Sequence, residues 1–118
     1  MKRRVIEVAR FTKQPGELAM FYADLLGAST PDPGRDAYSF DVEGVDLFIH
    51  SVSEEPAEPG WPKDVDHVAF QVEDLDAECE RLSSAGYEVL GPTMFPWGRS
   101  AFLYDPDGRM VELRGLEG

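Results

Sequence analysis

Few side chains in this sequence can do chemistry, and they are of a restricted kind. The chain has two histidines, His50 and His67, one cysteine, Cys79, and 23 acidic residues. A single cysteine excludes both an internal disulfide and a zinc site made of several cysteines. Because Cys79 lies in an amphipathic run, we expect a buried or half-buried apolar residue there. Histidine and carboxylate groups are therefore the candidates for metal binding and proton transfer.

Several familiar catalytic motifs are missing from the sequence. It contains no glycine-rich phosphate loop, no nucleophile elbow and no Ser/His/Asp set with a plausible arrangement. The charge argues against another class of partner, since 11 basic residues against 23 acidic ones give a formal net charge of −12. Such a field opposes binding to nucleic acid and to anionic membrane surfaces, and we expect neither as a partner.

The spread of the acidic residues leaves two interpretations open. Only three of the basic residues are lysines, and the acidic residues are distributed over the whole chain. This pattern is typical of a halophilic surface, on which salt screens the self-repulsion. It also fits an ordinary acidic cytosolic protein.

Length and hydropathy indicate one globular domain spanning residues 1–118. At 42% hydrophobic and 29% charged residues, the composition is that of a chain with one hydrophobic core. No stretch approaches the roughly 18 consecutive apolar residues that a membrane span needs. The N-terminal sequence has neither the apolar core nor the cleavage site of a signal peptide, so we expect a cytoplasmic protein.

Hydrophobic patterning divides the chain into two similar modules and a connection. In module one, about residues 4–52, a strand precedes a helix that Gly27 ends, and two strands follow around the hairpin signal Glu43-Gly44. Residues 53–63 carry three prolines and predict an exposed connection.

Module two, about residues 64–115, repeats this order. A strand is followed by an amphipathic helix, which Asp74 is expected to cap and Gly86 to end, and then by further strands around the turn at residues 105–108. The predicted fold class is α+β, with two βαβββ modules of roughly 55 residues in a curved mixed sheet. Neither module alone buries much core, and a small-molecule site is expected in the concave face of the sheet.

The modules match at a nearly constant offset along the chain. The matched pairs are Glu7 with His67, Gly27 with Gly86, Gly44 with Gly108, and Phe48 with Glu112. Identity between the modules is slight, so the repeat is one of pattern.

Three stretches resemble the vicinal oxygen chelate superfamily, which includes glyoxalase I, bleomycin-resistance proteins and extradiol dioxygenases. FYADLLGA (21–28) resembles the helix-end motif of its first module, and DHVAFQVEDLDA (66–77) the strand that opens its second. WGRSAFLYDPDGRMVELRG (97–115) is similar to its closing hairpin. The resemblance covers residues 5–115 and implies a sheet wrapped around a cup, where a divalent metal polarises vicinal oxygens of the substrate in some members.

The resemblance also implies a set of metal ligands. The superfamily's ligands occupy one strand position at the start and one at the end of each module. In module two these positions hold His67 and Glu112. In module one they hold Glu7, where His or Gln is usual, and Phe48, where a carboxylate is often found.

One imidazole and two carboxylates suit Zn²⁺, Mn²⁺, Fe²⁺ or Ni²⁺ and leave positions open for a bidentate substrate. Glu7 or Glu112 would then be the candidate general base. Glu7 has an alternative role as a strand carboxylate paired with Arg10 or Arg114. His50 points to the same face of its strand as Phe48, so it is either a displaced fourth ligand or a hydrogen-bonded histidine at the end of an edge strand.

Substrate contacts are expected mainly from aromatic residues. Phe48 on the cup floor favours an apolar pocket, and Trp97 and Phe102 could stack on a flat ligand, although most such residues are core. Arg99, on the loop before a strand expected at residues 100–104, could hold an anionic group or be a solvated surface arginine.

Two functions are compatible with this pattern. One is a glyoxalase-like metal-dependent lyase, isomerase or dioxygenase that acts on a small oxygenated metabolite, with one divalent metal per site. The other is a non-catalytic protein that sequesters a drug or toxin, as bleomycin-resistance proteins do. In both cases we expect a homodimer, because such a sheet has exposed edges and superfamily members usually close the cup by pairing two chains. Whether each site belongs to one chain or to two stays open.

Overall fold

Seven strands and two helices make up the fold. A computed structural model describes residues 2–116, and residues 1, 117 and 118, which the single-domain prediction includes, lie outside the described residues. In chain order the elements are β1 (Arg3–Thr12), α1 (Pro15–Leu26), β2 (Ala37–Val42), β3 (Val45–Ser51), β4 (His67–Val72), α2 (Leu75–Ser84), β5 (Leu90–Phe95), β6 (Gly98–Tyr104) and β7 (Met110–Gly115).

The strand order β2-β3-β1-β4-β7-β6-β5 places the two modules side by side in one sheet. β1 pairs in parallel with β3, and β4 pairs in parallel with β7, while β1 and β4 join the modules as an antiparallel pair. The register reproduces the repeat, since Ala9 lies opposite Phe48 and Ala69 lies opposite Glu112. The predicted α+β fold with a mixed sheet is confirmed.

Local sequence signals explain where the helices begin and end. Pro15 occupies the first turn of α1, where its missing N–H has no helical partner to lose. Gly27 ends α1 with a φ of 67°, a left-handed conformation that glycine adopts without steric cost. Asp74 caps α2 by accepting a hydrogen bond of 3.1 Å from the backbone N–H of Ala77.

Module one has three strands, where a βαβββ module requires four. The predicted hairpin at Glu43-Gly44 is present, and both residues have positive φ. Residues 28–36, between α1 and β2, form no strand. Pro31 and Pro33 lack the N–H that a sheet ladder needs, so this segment returns to β2 without pairing. Module one is therefore βαββ, and only module two is βαβββ.

Both helices pack on the same face of the sheet. α1 places Ala19 against Tyr38 and Ile49, all buried. The cluster beneath α2 consists of Val72, Leu75, Cys79, Ala101 and Leu113, and the expected burial of Cys79 is confirmed. Because side chains alternate along a strand, the intervening residues face the other side of the sheet. In the described part of the chain, neither helix has the length and apolar character to cross a membrane.

A buried carboxylate ties α2 to β1. Glu78 is 1% exposed and accepts hydrogen bonds from Arg3 Nη2 at 3.0 Å and from Arg81 Nε at 2.7 Å. The hydrogen bond from Arg3 lowers the pKa of Glu78 below its ordinary value, although burial raises it. These contacts therefore stabilise the fold only while Glu78 is ionised.

We expect the stabilisation by Glu78 to be lost in acid. Since the pKa of Glu78 is lower in the folded than in the unfolded chain, its contribution is complete above the unfolded value of about 4.3 and falls away as pH drops through the folded value. Glu78→Gln should lower the free energy of unfolding by about 1–3 kcal/mol near neutral pH, and by progressively less in acid. Urea unfolding across that pH range measures the difference.

The matched control is Glu80→Gln, which removes the same charge from the exposed face of α2. It should change the free energy of unfolding by less than about 0.5 kcal/mol at any pH. A cost of Glu78→Gln that stayed constant as the pH fell would contradict the linkage.

Candidate functional site

The face of the sheet opposite the helices encloses a cavity of about 530 Å³. Strands β1, β3, β4, β6 and β7 supply its floor, and residues 61–64 of the connection contribute to its rim. Seven of the eight predicted site residues line it: Glu7, Phe48, His50, His67, Trp97, Phe102 and Glu112.

Arg99 is the eighth, and the structure places it on the opposite face. It belongs to β6, where it alternates with Ser100, so its side chain points toward α2. Its guanidinium donates two hydrogen bonds to Asp76, at 2.7 and 3.2 Å. Arg99 therefore does not line the cavity, and the suggestion that it holds an anionic group there is corrected.

Three potential ligands meet on the cavity floor. Glu7, His67 and Glu112 each offer one ligand atom, and these atoms lie within 4.8 Å of one another. Glu7 faces Ala69, and Ala69 faces Glu112, so the two carboxylates stand in one row across three strands. His67 lies opposite Ala9 on the same face. The two alanines, 1% and 0% exposed, leave room for the longer side chains to converge.

The His67 ring is oriented by its backbone contact. Nδ1 lies 2.8 Å from the carbonyl oxygen of Val65, which can only accept, so Nδ1 carries the hydrogen. Nε2 lies 3.1 Å from Oε1 of Glu112. In the neutral ring, the lone pair of Nε2 would face this carboxylate oxygen. The contact is favourable when a cation lies between the two atoms, either a proton on Nε2 or a metal ion.

The other oxygen of Glu112 is saturated with donors. Oε2 accepts hydrogen bonds from Ser100 Oγ at 2.7 Å, Arg114 Nη2 at 3.0 Å and Trp97 Nε1 at 3.1 Å. Burial raises the pKa of Glu112, but the hydrogen bond to His67, the charge of Arg114 and the Ser100 hydroxyl outweigh it, so that the pKa falls below its ordinary value. Glu112 is therefore ionised near neutral pH, with Oε1 turned to His67.

His67 is more basic than an ordinary histidine. Burial lowers its pKa, but the hydrogen bonds to Glu112 and Val65 and the charges of Glu112 and Glu7 together raise it more. A metal ion would have to displace the proton on Nε2, so metal affinity should increase with pH.

Glu7 is paired with Arg114, one of the two arginines considered for it. Arg114 Nη2 lies 3.3 Å from Glu7 Oε1, while Arg10 instead bonds Asp66 at 3.1 Å. Burial raises the pKa of Glu7 more than the charge of Arg114 lowers it, and the charge of Glu112 also raises it. Glu7 therefore binds a proton more readily than Glu112 does.

A family model described as the Glyoxalase/Bleomycin resistance protein/Dioxygenase superfamily matches residues 4–113. The chain belongs to this superfamily. The resemblance inferred from the sequence motifs is thereby confirmed.

Two curated lactoylglutathione lyases are similar to this chain in sequence. The chain is 27% identical over 113 residues to a lactoylglutathione lyase of Pseudomonas aeruginosa, a match that covers 88% of this chain and 64% of the relative. It is 39% identical over 62 residues to a probable lactoylglutathione lyase of Vibrio parahaemolyticus, covering 44% of this chain and 45% of the relative. The chain thus spans less than two thirds of the length of these curated relatives.

Among solved structures, a methylmalonyl-CoA epimerase from Mycobacterium tuberculosis superposes with a TM-score of 0.65 at 20% identity. The superposition covers 94% of this chain and 86% of the epimerase. At this identity the likeness concerns the fold alone.

His50, the second histidine considered for the superfamily's metal, lies outside the compact grouping found in residues 2–116. Its Nδ1 is 2.7 Å from the carbonyl oxygen of Ser51. Its ring contacts those of Phe11 and Phe48, with centroid distances of 5.8 and 5.7 Å. His50 therefore contributes to the aromatic wall of the cavity.

The sequence reasoning assigned no site role to Ser100 or Trp61. Ser100 is 0% exposed and could have been found from its period-two spacing to Phe102 on β6. Trp61 lies in the proline-rich connection, where no pattern predicts a contact, yet its ring packs edge-on against Phe95 and Trp97, with centroids 5.3 and 5.9 Å apart. The cavity thus has one polar end and one aromatic wall.

Proposed function

We propose that the protein is a metal-dependent enzyme of the glyoxalase kind, a lyase, isomerase or dioxygenase that acts on a small oxygenated metabolite. The observation that carries the proposal is the convergence of Glu7, His67 and Glu112, whose ligand atoms lie within 4.8 Å of one another on the floor of a cavity with an aromatic wall. The similarity to a lactoylglutathione lyase supports the lyase alternative.

The donor set fits a divalent transition metal. An imidazole and two carboxylates suit Zn²⁺, Mn²⁺, Fe²⁺ or Ni²⁺. The Val65 carbonyl holds the hydrogen on Nδ1 of His67 and so presents Nε2, and Ser100 and Trp97 orient Glu112. A bound ion would supply a Lewis acid that stabilises negative charge on the substrate oxygens.

The two carboxylates would have different roles. Glu112 stays ionised because His67 and Arg114 favour its charged form, which suits a permanent ligand. Glu7 has a raised pKa, which suits a general base that takes a proton from the substrate. Phe48 and Phe102 would contact the apolar part of the substrate.

Metal titration tests this proposal. Calorimetric titration of chelator-treated protein with Zn²⁺, Mn²⁺ and Ni²⁺ should give one ion per chain. Binding should be tighter at about pH 8 than at about pH 6, because His67 must lose its proton to ligate. If no ion binds below about millimolar concentration, which corresponds to only about 4 kcal/mol, the enzyme proposal is wrong.

A non-catalytic protein that sequesters a drug or toxin is the second candidate. It is favoured by Phe48, an apolar residue where superfamily members often have a carboxylate, and by the position of both tryptophans, Trp61 and Trp97, at the cavity. A flat aromatic compound that quenched their fluorescence equally with and without metal, in a protein that failed the metal titration, would favour this candidate.

We also propose a homodimer. Two features support it: β2 and β5 are the edges of the sheet, and α1 exposes the large apolar residues Phe21 and Leu25, at 58% and 65%. The halophilic character of the surface and the cytoplasmic location stay predictions.

A further inference from the structure

The connection between the modules separates two cavities. Trp61, Pro62, Lys63 and Asp64 line the cavity that contains the candidate metal ligands, here called the site cavity, which has a volume of about 530 Å³. The same four residues line a second cavity of about 560 Å³, whose other lining residues all lie between positions 52 and 65 of the chain. Residues 61–64 therefore form a partition between the site cavity and the second cavity.

Trp61 is the largest side chain of the partition, and it belongs to the aromatic wall of the site cavity. Its ring packs edge-on against Phe95 and Trp97, with interplanar angles of 74° and 78°. Phe95 and Trp97 are stacked on each other, with centroids 4.6 Å apart and an interplanar angle of 4°. Trp61 is nevertheless 45% exposed. Much of its surface is therefore left for a ligand to cover.

The backbone of the connection holds the partition in place. The N–H of Ser53 donates to Oδ2 of Asp64 at 2.8 Å, so the two ends of the connection are tied together. The N–H of Trp61 donates to the carbonyl oxygen of Glu58 at 2.9 Å, in a turn where Gly60 has a φ of 84°. The position of the Trp61 ring is therefore fixed from its own backbone as well as by its ring contacts.

The partition decides how much space a ligand can use. The volume of the site cavity lies in the usual range for small-molecule sites, about 300–1,000 Å³. The two cavities joined would offer roughly twice this volume. Because Trp61 is the largest group between them, its side chain determines whether a ligand can extend from the first cavity into the second.

We propose that Trp61 is a specificity-determining residue that limits the length of the ligand. The substrate would be a compact molecule whose apolar end lies against the Trp61 ring, since an indole offers a large, flat apolar surface. This inference rests on the proposed function in taking the site cavity as the place where the substrate binds. It does not depend on a metal, and a sequestered compound would meet the same limit.

A series of unbranched phenyl-substituted alcohols, from 2-phenylethanol to 8-phenyl-1-octanol, tests the limit. Each is titrated into chelator-treated full-length protein and followed by tryptophan fluorescence. In Trp61→Ala the remaining tryptophan is Trp97, which lines the site cavity. The wild-type affinity should rise about fourfold for each methylene that finds room, and it should stop rising at the length that fills the site cavity. Trp61→Ala should move this limit by about three carbon atoms, because truncation of a large side chain leaves a cavity.

Two further variants control the measurement. Trp61→Phe keeps a smaller ring in the partition and should move the limit by about one carbon atom, because less volume is removed. Tyr87→Ala removes a ring that is 54% exposed and lines neither cavity, so it should leave the limit unchanged. Circular dichroism checks the folding of each variant, and if Trp61→Ala does not fold, the limit in Trp61→Phe decides.

Three outcomes would overturn the proposal: the same limit in the wild type and the folded Trp61 variants, a wild-type affinity that rises up to the longest probe, or no binding of any probe. All of these measurements use metal-free protein and substitute no candidate ligand of the metal. The length limit can therefore fail while the metal titration succeeds, and the reverse.

Discussion

His67→Ala should lower the affinity for a divalent metal by more than about 100-fold. Loss of a residue that only hydrogen-bonds a metal ligand lowers the affinity by about 10- to 100-fold, and His67 is proposed as a ligand itself. His50→Ala should change the metal affinity by less than about threefold, which corresponds to less than about 0.7 kcal/mol of binding free energy. Nε2 of His67 lies among the carboxylate oxygens of the site, whereas His50 lies outside the grouping, with its Nδ1 against the Ser51 carbonyl. Calorimetric titration with Zn²⁺ and Ni²⁺ at neutral pH measures both variants.

The two histidines form a matched pair, because they are the only histidines in the chain and both line the cavity. Circular dichroism of each variant controls for folding. Equal losses in both variants would mean that His50 is the displaced fourth ligand after all. Unchanged binding in His67→Ala would remove the metal centre, and the sequestering function would then be favoured.

Arg114→Met should destabilise the metal-free protein by about 3–5 kcal/mol, the usual cost of breaking a buried ion pair by removal of one partner. The side chain of Arg114 is 19% exposed, and those of its partners Glu7 and Glu112 are 12% and 3% exposed. Without Arg114, two buried carboxylates face each other with His67 as the nearest cation. The same change should tighten metal binding, because a divalent ion would no longer compete with the guanidinium for the carboxylates.

The control is Arg10→Met, which breaks a pair with Asp66 whose side chains are 45% and 50% exposed. This variant should lose less than about 1 kcal/mol and bind metal as the wild type does. Urea unfolding with and without Zn²⁺ measures both effects, since saturating metal should restore much of the stability of Arg114→Met through mass action. Destabilisation that metal does not relieve would indicate that Arg114 serves packing alone.

The type and order of the elements could be predicted because their signals are local. Gly27 and Asp74 mark a helix end and a helix start by backbone conformation and by a side-chain cap, and Glu43-Gly44 marks a hairpin through its positive φ angles. Element boundaries were less accurate. The description as two βαβββ modules gave module one a fourth strand, although its hydrophobic pattern indicated only the three strands that the structure contains.

The strand β6 begins two residues earlier than the sequence predicted, and this difference explains the position of Arg99. From the sequence, the strand was expected to begin at Ser100, with Arg99 on the preceding loop and free to reach a ligand. The strand begins at Gly98, so Arg99 takes part in the alternation and points to the helix face. The alternation along a strand has a period of two, and the residues flanking a tight turn give little information about its phase.

By itself, the sequence determined the α+β class, the internal repeat and, through the resemblance to a superfamily, the positions of Glu7, His67 and Glu112. These features depend on local propensity, periodicity and motif order, which can be read from the linear sequence without knowledge of tertiary contacts. Only the tertiary structure decided that Arg114 joins the two glutamates and that Asp46 of β3 stands opposite Glu7 of β1. Both facts depend on strand register, which brings residues far apart in sequence, such as Glu7 and Arg114, to 3.3 Å. Register is set by the packing of whole strands against each other, so no short stretch of the sequence contains it.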